Sequence, residues 1–190
     1  MIQNKKNSFP EYFIIDSSIS LYEDENYEFK QFHLSNKQDV LKHLKLFMKY
    51  LTAFLNSNSG VLLFGINDNG IIKGINMNIE IKEEMKYQIK KMISKFDEHI
   101  VKQNFITFEF YPVLDKDKNV IDNLYVIAIF VKIGYPDKIY TTPYIDEDEN
   151  DYAVYIKLNG TCKKVSGNNL YKYIKSKMKK YFLNSLSYEN

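Results

Sequence analysis

Val40, Leu41, Leu44, Phe47, Met48, Leu51 and Phe54 recur at helical spacing, with Lys42, Lys45 and Lys49 set among them. This pattern predicts an amphipathic helix over 37–57, opened by the capping pair Ser35-Asn36 and ended by NSNSG at 56–60. Ile81, Met85, Ile89, Met92, Ile93 and Phe96 repeat the pattern over 79–98, and SGNN at 166–169 caps a last helix over 168–183. Between the helices the period changes. YEFKQF at 27–32 is strand-like, and VLLFGI at 61–66 is apolar throughout, as a strand buried on both faces would be. NDNG at 67–70 is a hairpin signal, with IIKGI expected as the returning partner strand. FITFEFYPV alternates as a half-buried strand, DKDKN makes a turn, and LYVIAIFVKI reads as a long central strand. YAVYIKL follows as another strand ending in the tight turn NGT.

The predicted order is β-α-ββ-α-β-β-β-α. Strands joined by short turns and interrupted by helices imply an α+β fold, with a mixed, largely antiparallel sheet flanked by helices. No internal repeat divides the chain. One domain is expected over 23–184, with an arm at 1–22 that carries the apolar patch Tyr12 to Ile15, and a tail at 185–190. Residues 134–151 are expected to be a loop with two prolines and an acidic run.

Apolar residues make up 45% of the 190-residue chain and charged residues 26%, enough for a real core and too many apolar groups for a disordered chain. The net charge of +2 conceals segregation. Acid gathers at 23–28 and 146–151, Lys dominates the C-terminal third, and there is no Arg. A near-neutral chain can still bind nucleic acid if its basic groups share a face. The N-terminus MIQNKKNSFPEYF has no long apolar stretch, and the longest apolar run, Tyr125–Val131, is far too short to span a membrane. An intracellular protein, cytoplasmic rather than nuclear, is the expectation.

Cys162 is the only cysteine, so neither a disulfide nor a Cys-based zinc site can form within one chain. His33, His43 and His99 have no compact ligand spacing, and no histidine is placed to support Cys162 as a nucleophile. GINDNGIIKG is not GxGxxG and opens no helix, which excludes a dinucleotide or P-loop reading. Two patterns remain. In the first, Glu28 stands in a strand and Glu23 just before it, while Asp68 closes the buried strand. If the two strands are neighbours, these carboxylates can converge as hard ligands for Mg²⁺ or Mn²⁺, which can activate water. Lys30, on the face of Glu28, can then neutralise a phosphate oxygen. The competing reading makes Asp68 a turn residue and Glu23 a surface charge. The second pattern is Lys interleaved with Tyr in YIKLNGTCKKVSGNNLYKYIKSKMKKYF, which suits phosphate contact with base stacking or an ordinary solvated helix.

Taken in order, Glu28-Phe29-Lys30, Ala53-Phe54-Leu55-Asn56-Ser57, Gly65-Ile66-Asn67-Asp68, Lys73-Gly74, Tyr155-Ile156-Lys157 and Asn159-Gly160-Thr161 resemble the Schlafen family and its AlbA-type relatives over about 23–166. The resemblance implies a metal-dependent endoribonuclease acting on structured RNA such as tRNA or rRNA. Glu23 and Glu28, five apart, and Asp68 match the family's catalytic carboxylates and would hold Mg²⁺ or Mn²⁺, with Lys30 stabilising the developing charge. Lys157, Lys163, Lys164, Lys172, Lys175 and Lys179 would hold the RNA backbone. Ser59 replaces one glycine of the usual pair, Lys157 stands where Arg is common, and the zinc ligands of vertebrate relatives are absent, so no zinc is expected. Many family cores carry two lobes around a basic groove. One lobe would need a second copy or another Schlafen-like subunit. The alternative reading is a non-catalytic module or scaffold subunit that binds RNA or DNA. An interaction protein using the acidic 146–151 loop ranks last.

Overall fold

The computed structural model describes residues 9–142, 145–146 and 151–186. The elements, in chain order, are β1 (Phe13–Ile14), β2 (Tyr27–Lys30), α1 (Lys37–Asn56), β3 (Gly60–Phe64), β4 (Ile75–Asn76), α2 (Ile79–Ile93), α3 (Glu98–Lys102), β5 (Ile106–Leu114), β6 (Val120–Val131), β7 (Ile145–Asp146), β8 (Asp151–Tyr152), β9 (Val154–Leu158), β10 (Thr161–Val165) and α4 (Gly167–Leu186). The main sheet runs β1-β5-β6-β3-β2, with β4 also paired to β6. β3, β4 and β5 all run antiparallel to β6, while β1 joins β5 and β2 joins β3 in parallel. The fold is therefore α+β with a mostly antiparallel sheet flanked by helices, as the pattern implied. β9–β10 and β7–β8 are separate two-stranded hairpins.

VLLF reads as apolar throughout because β3 is covered on both faces. Leu62 and Phe64 join Val40, Leu44, Phe54, Met85 and Ile100 in a core shared with α1, α2 and α3. Val61 and Leu63 face a second core with Phe13, Ile19, Phe29, Ile66 and Ile72. The segment expected to be an arm thus carries part of the second core, and Phe13 is only 1% exposed. Residues 1–8 of that arm and 187–190 of the tail lie outside the described residues, as do 147–150 of the acidic run.

α1 begins where expected, because Asn36 and Asp39 form a reciprocal capping box. The second predicted helix divides: α2 stops at Ile93, and Asp97 starts α3 by accepting a hydrogen bond from His99 N at 2.9 Å. The expected hairpin is also shorter than the pattern suggests. Ile66 and Ile72 make one antiparallel bridge, and the chain then leaves to pair β4 with β6. The cause is local. Gly65 and Gly74 have φ of +94° and +65°, and Gly65 O accepts hydrogen bonds from both Lys73 N and Gly74 N, which bends the chain out of the ladder.

Candidate nucleic-acid interface and the acidic cluster

The acidic cluster is built at the β2 edge of the sheet. Asp24 Oδ1 accepts from Asn26 N at 2.6 Å and Tyr27 N at 2.9 Å, a tight turn that folds the acidic stretch back beside the strand it precedes. This places Glu23 Oε1 2.8 Å from Phe29 N, so the carboxylate satisfies a backbone donor of the edge strand. β2 lies beside β3, with Glu28 opposite Leu62 and Lys30 opposite Phe64. Alternation then turns Glu28 and Lys30 toward the face packed by α1.

Glu28 is buried between two lysines. Lys30 Nζ lies 2.7 Å from its Oε1, and Lys157 Nζ donates to its Oε2 at 2.6 Å. Lys30 also reaches Glu23 Oε1 at 3.3 Å, so both glutamates converge on one ammonium. Burial works against the charged form of Lys30, but Glu28, then Tyr50 and Glu23, outweigh it and hold its pKa above the ordinary value. Lys30 and Lys49 stand over the ring of Tyr50 at 5.2 and 4.9 Å. Burial pushes the Tyr50 hydroxyl up to about 12. It does the same to the Cys162 thiol, which lies 3.6 Å from Lys49 O, so this cysteine is an inert thiol at neutral pH.

Asp68 is not brought into this cluster. β2 and β3 run parallel, and the chain continues past Phe64 through Gly65 into the turn, where Asp68 is exposed. The neighbour Asn67 does the structural work there, its Oδ1 accepting from Asn69 N at 3.1 Å and Ile71 N at 2.9 Å. Among the described residues, no three His, Cys, Asp or Glu side chains are grouped to hold a metal ion. The donor set does not suit Mg²⁺ or Mn²⁺ either. Both Glu28 oxygens are taken by ammonium groups, and Glu23 Oε1 is shared between a backbone amide and Lys30.

Lys157 corrects an expectation. A place on the nucleic-acid surface requires an exposed ammonium, yet the Lys157 side chain has 0% exposure. β9 packs against α1, and the Lys157 side chain runs inward past the Phe54 ring to Glu28. Its backbone N–H donates to Ser57 Oγ at 2.8 Å. The sequence carried no signal of this, because strand alternation puts Lys157 on the face opposite buried Val154 and Ile156. Two further residues complete the cluster: Glu25, an alternative ligand by sequence that breaks the five-residue spacing, and Tyr50, which the sequence pattern did not single out. Glu25 Oε1 accepts from Gly160 N at 2.9 Å, tying the acidic stretch to the β9–β10 turn, and Tyr50 covers Lys30.

The remaining lysines are at the surface. Lys163 and Lys164 are exposed on β10, Lys163 opposite Ile156 and Lys164 opposite Tyr155. Lys172, Lys175 and Lys179 are exposed on α4, and their spacing of three and four puts them in one stripe. Tyr171 and Met178 are exposed beside it. α4 is held on its inner side by Tyr173, whose hydroxyl donates to Asn56 O, and by Lys177 Nζ, which donates to Lys138 O at 2.7 Å. No described helix is long and apolar enough to cross a membrane.

Among solved structures, the chain is similar to the DIP2311 protein from Corynebacterium diphtheriae, at 14% identity and a TM-score of 0.42. The match covers 74% of this chain and 25% of that one, so the chain spans about a quarter of that protein's length. The family model described as "Schlafen, AlbA_2" matches residues 23–166. That match takes in the acidic cluster, the first core, most of the second and the β9–β10 hairpin, and it points to nucleic-acid binding: the chain belongs to the Schlafen AlbA_2 family.

Proposed function

We propose that this chain is a nucleic-acid-binding lobe that engages the phosphate backbone of structured RNA through β10 and α4. The observation that carries this reading is the exposed stripe Lys172, Lys175 and Lys179 on α4, the element that follows β10 and its exposed Lys163 and Lys164 in the chain. Lysines on one helix face neutralise phosphates spaced along a backbone, and Tyr171 beside them offers a ring for an unpaired base. Such contacts read shape and charge more than sequence. Pairing with a second lobe, as a homodimer or with another Schlafen-like subunit, would extend one stripe into a groove. DNA remains a second polyanion for the same surface.

The test is binding of labelled transfer RNA, ribosomal RNA fragments and DNA across a salt series, in wild type and in Lys172→Glu/Lys175→Glu/Lys179→Glu. Each lost phosphate contact lowers the slope of log K against log salt by about 0.7–0.9. We expect the triple variant to lose about two to three such contacts while keeping the wild-type melting midpoint. Unchanged affinity and slope would refute the interface.

A second reading, a metal-dependent endoribonuclease, rests on the family resemblance of Glu23, Glu28 and Asp68 and would require Lys30 to give up both glutamates to the metal. The same RNAs incubated with Mg²⁺, Mn²⁺ or EDTA decide it. Metal-dependent cleavage lost in Glu28→Ala and Asp68→Ala, with binding retained, would establish it.

A further inference from the structure

Lys157 ends in a place that has the makeup of a cation cage. Its ammonium donates to Glu28 Oε2 at 2.6 Å and Gly160 O at 2.9 Å, with Tyr27 O at 3.5 Å, and it lies 5.5 Å from the centre of the Phe54 ring. An ammonium has three donors and no acceptor, so one carboxylate and two carbonyls match it fully. These are also hard oxygens, the type a divalent cation prefers. Glu28's other oxygen is held by Lys30, which returns to Glu23. Among Glu23, Glu28, Lys30 and Lys157, two carboxylates are matched by two ammonium groups. A divalent ion at Glu28 Oε2 would have to displace the Lys157 ammonium, which has no exposed surface, and one between Glu23 and Glu28 would have to displace Lys30 from both carboxylates.

We propose that Lys157, held on Glu28, and Lys30, shared by Glu23 and Glu28, are the permanent internal cations of this pair and that the pair therefore takes up no divalent metal. The resulting ion lock fixes the β9–β10 hairpin against β2. The lock has two bolts, Lys157 to Glu28 and Gly160 N–H to Glu25, and both join the acidic stretch to the same turn. β10 and α4 follow that turn directly, so the lock positions the lysine-bearing surface relative to the sheet. Only this last step rests on the nucleic-acid reading.

The experiment is a Mn²⁺ titration, following free ion by electron paramagnetic resonance, paired with thermal melts. The proteins are wild type, Glu28→Gln, Lys157→Met and Glu28→Gln/Lys157→Met. Wild type is expected neither to take up Mn²⁺ at the acidic pair nor to gain in melting midpoint. Lys157→Met, with Glu28 left buried beside only Lys30, is expected to melt lower and to regain midpoint as Mn²⁺ is added. The double variant is expected to melt above Lys157→Met and to ignore Mn²⁺. Uptake by wild type that Glu28→Gln abolishes would overturn the proposal. Uptake that survives Glu28→Gln lies elsewhere and supports it. If Lys157→Met does not fold, wild type and Glu28→Gln decide the question alone. No nucleic acid enters these measurements, so failure of the lock and failure of the binding interface are separate results.

Discussion

Asn56 joins three parts of the chain with one carboxamide. Its Nδ2 donates to Tyr140 O at 2.8 Å and Tyr155 O at 2.9 Å, and its Oδ1 accepts from Tyr140 N at 2.8 Å. The residue is 1% exposed, so water cannot replace these partners. Asn56→Ala would leave two carbonyls and one amide unpaired, and we expect a loss of roughly 2–4 kcal/mol by urea unfolding. A loss below about 0.5 kcal/mol would mean the buried groups find other partners. Glycine matters at this scale too. A Cβ at Gly60 would lie 2.2 Å from the Phe54 ring, the ring that also covers the Lys157 ammonium. The absence of a side chain at residue 60 is what lets α1 and β3 close on the acidic cluster.

α4 is an element docked by a few polar contacts, and one of them titrates. Burial lowers the Lys177 ammonium from 10.5 to about 8, against the pull of Asp137. Between these values the unfolded chain binds more protons than the folded one, so this group's contribution to stability rises with pH. Below about pH 8 the penalty of burying the charge is present in full; by about pH 10.5 it is gone. Lys177→Met removes the titration, so any stability advantage of the variant over wild type should be largest below pH 8 and shrink toward pH 10.5. A difference between the two that is flat across that window would show that Lys177 is not burdened in the fold. Either proton state can donate to Lys138 O, so α4 stays docked throughout.

At the scale of the molecule, the helices cover one face of the sheet and the N-terminal segment helps cover the other. β1 pairs Phe13 with Val113 and Ile14 with Leu114, and Ser18 bridges Ile71. Phe9, Phe13, Tyr111 and Phe130 pack with ring centres 5.2–6.0 Å apart. Phe13→Ala should lose about 3–5 kcal/mol, a large share of the 5–15 kcal/mol typical of a domain. Deleting residues 1–22 should abolish cooperative unfolding and expose dye-binding apolar surface. A deletion variant that melts like wild type would show that the segment is not needed for the fold.

The α+β class, the extent of α1 and the turn at 115–119 were legible in the sequence because each depends on neighbours a few residues apart. Asp115 Oδ1 takes Asp117 N and Asn119 N within five residues, and Asn36 and Asp39 cap α1 within four. The lysine stripe of α4 was legible for the same reason: helical spacing alone puts Lys172, Lys175 and Lys179 on one face. The fate of the acidic cluster was not. Glu23 and Glu28 do meet, because a local turn brings them together. Whether Asp68 joins them depends on how far β3 carries the chain past β2, and the parallel register leaves it exposed in the turn. Lys157 is 129 residues from Glu28 in sequence, and only the packing of β9 on α1 sends its ammonium inward. Local pattern set the elements and their faces; long-range packing chose the partner of each charge, because a buried carboxylate is held by whichever cation the fold brings beside it.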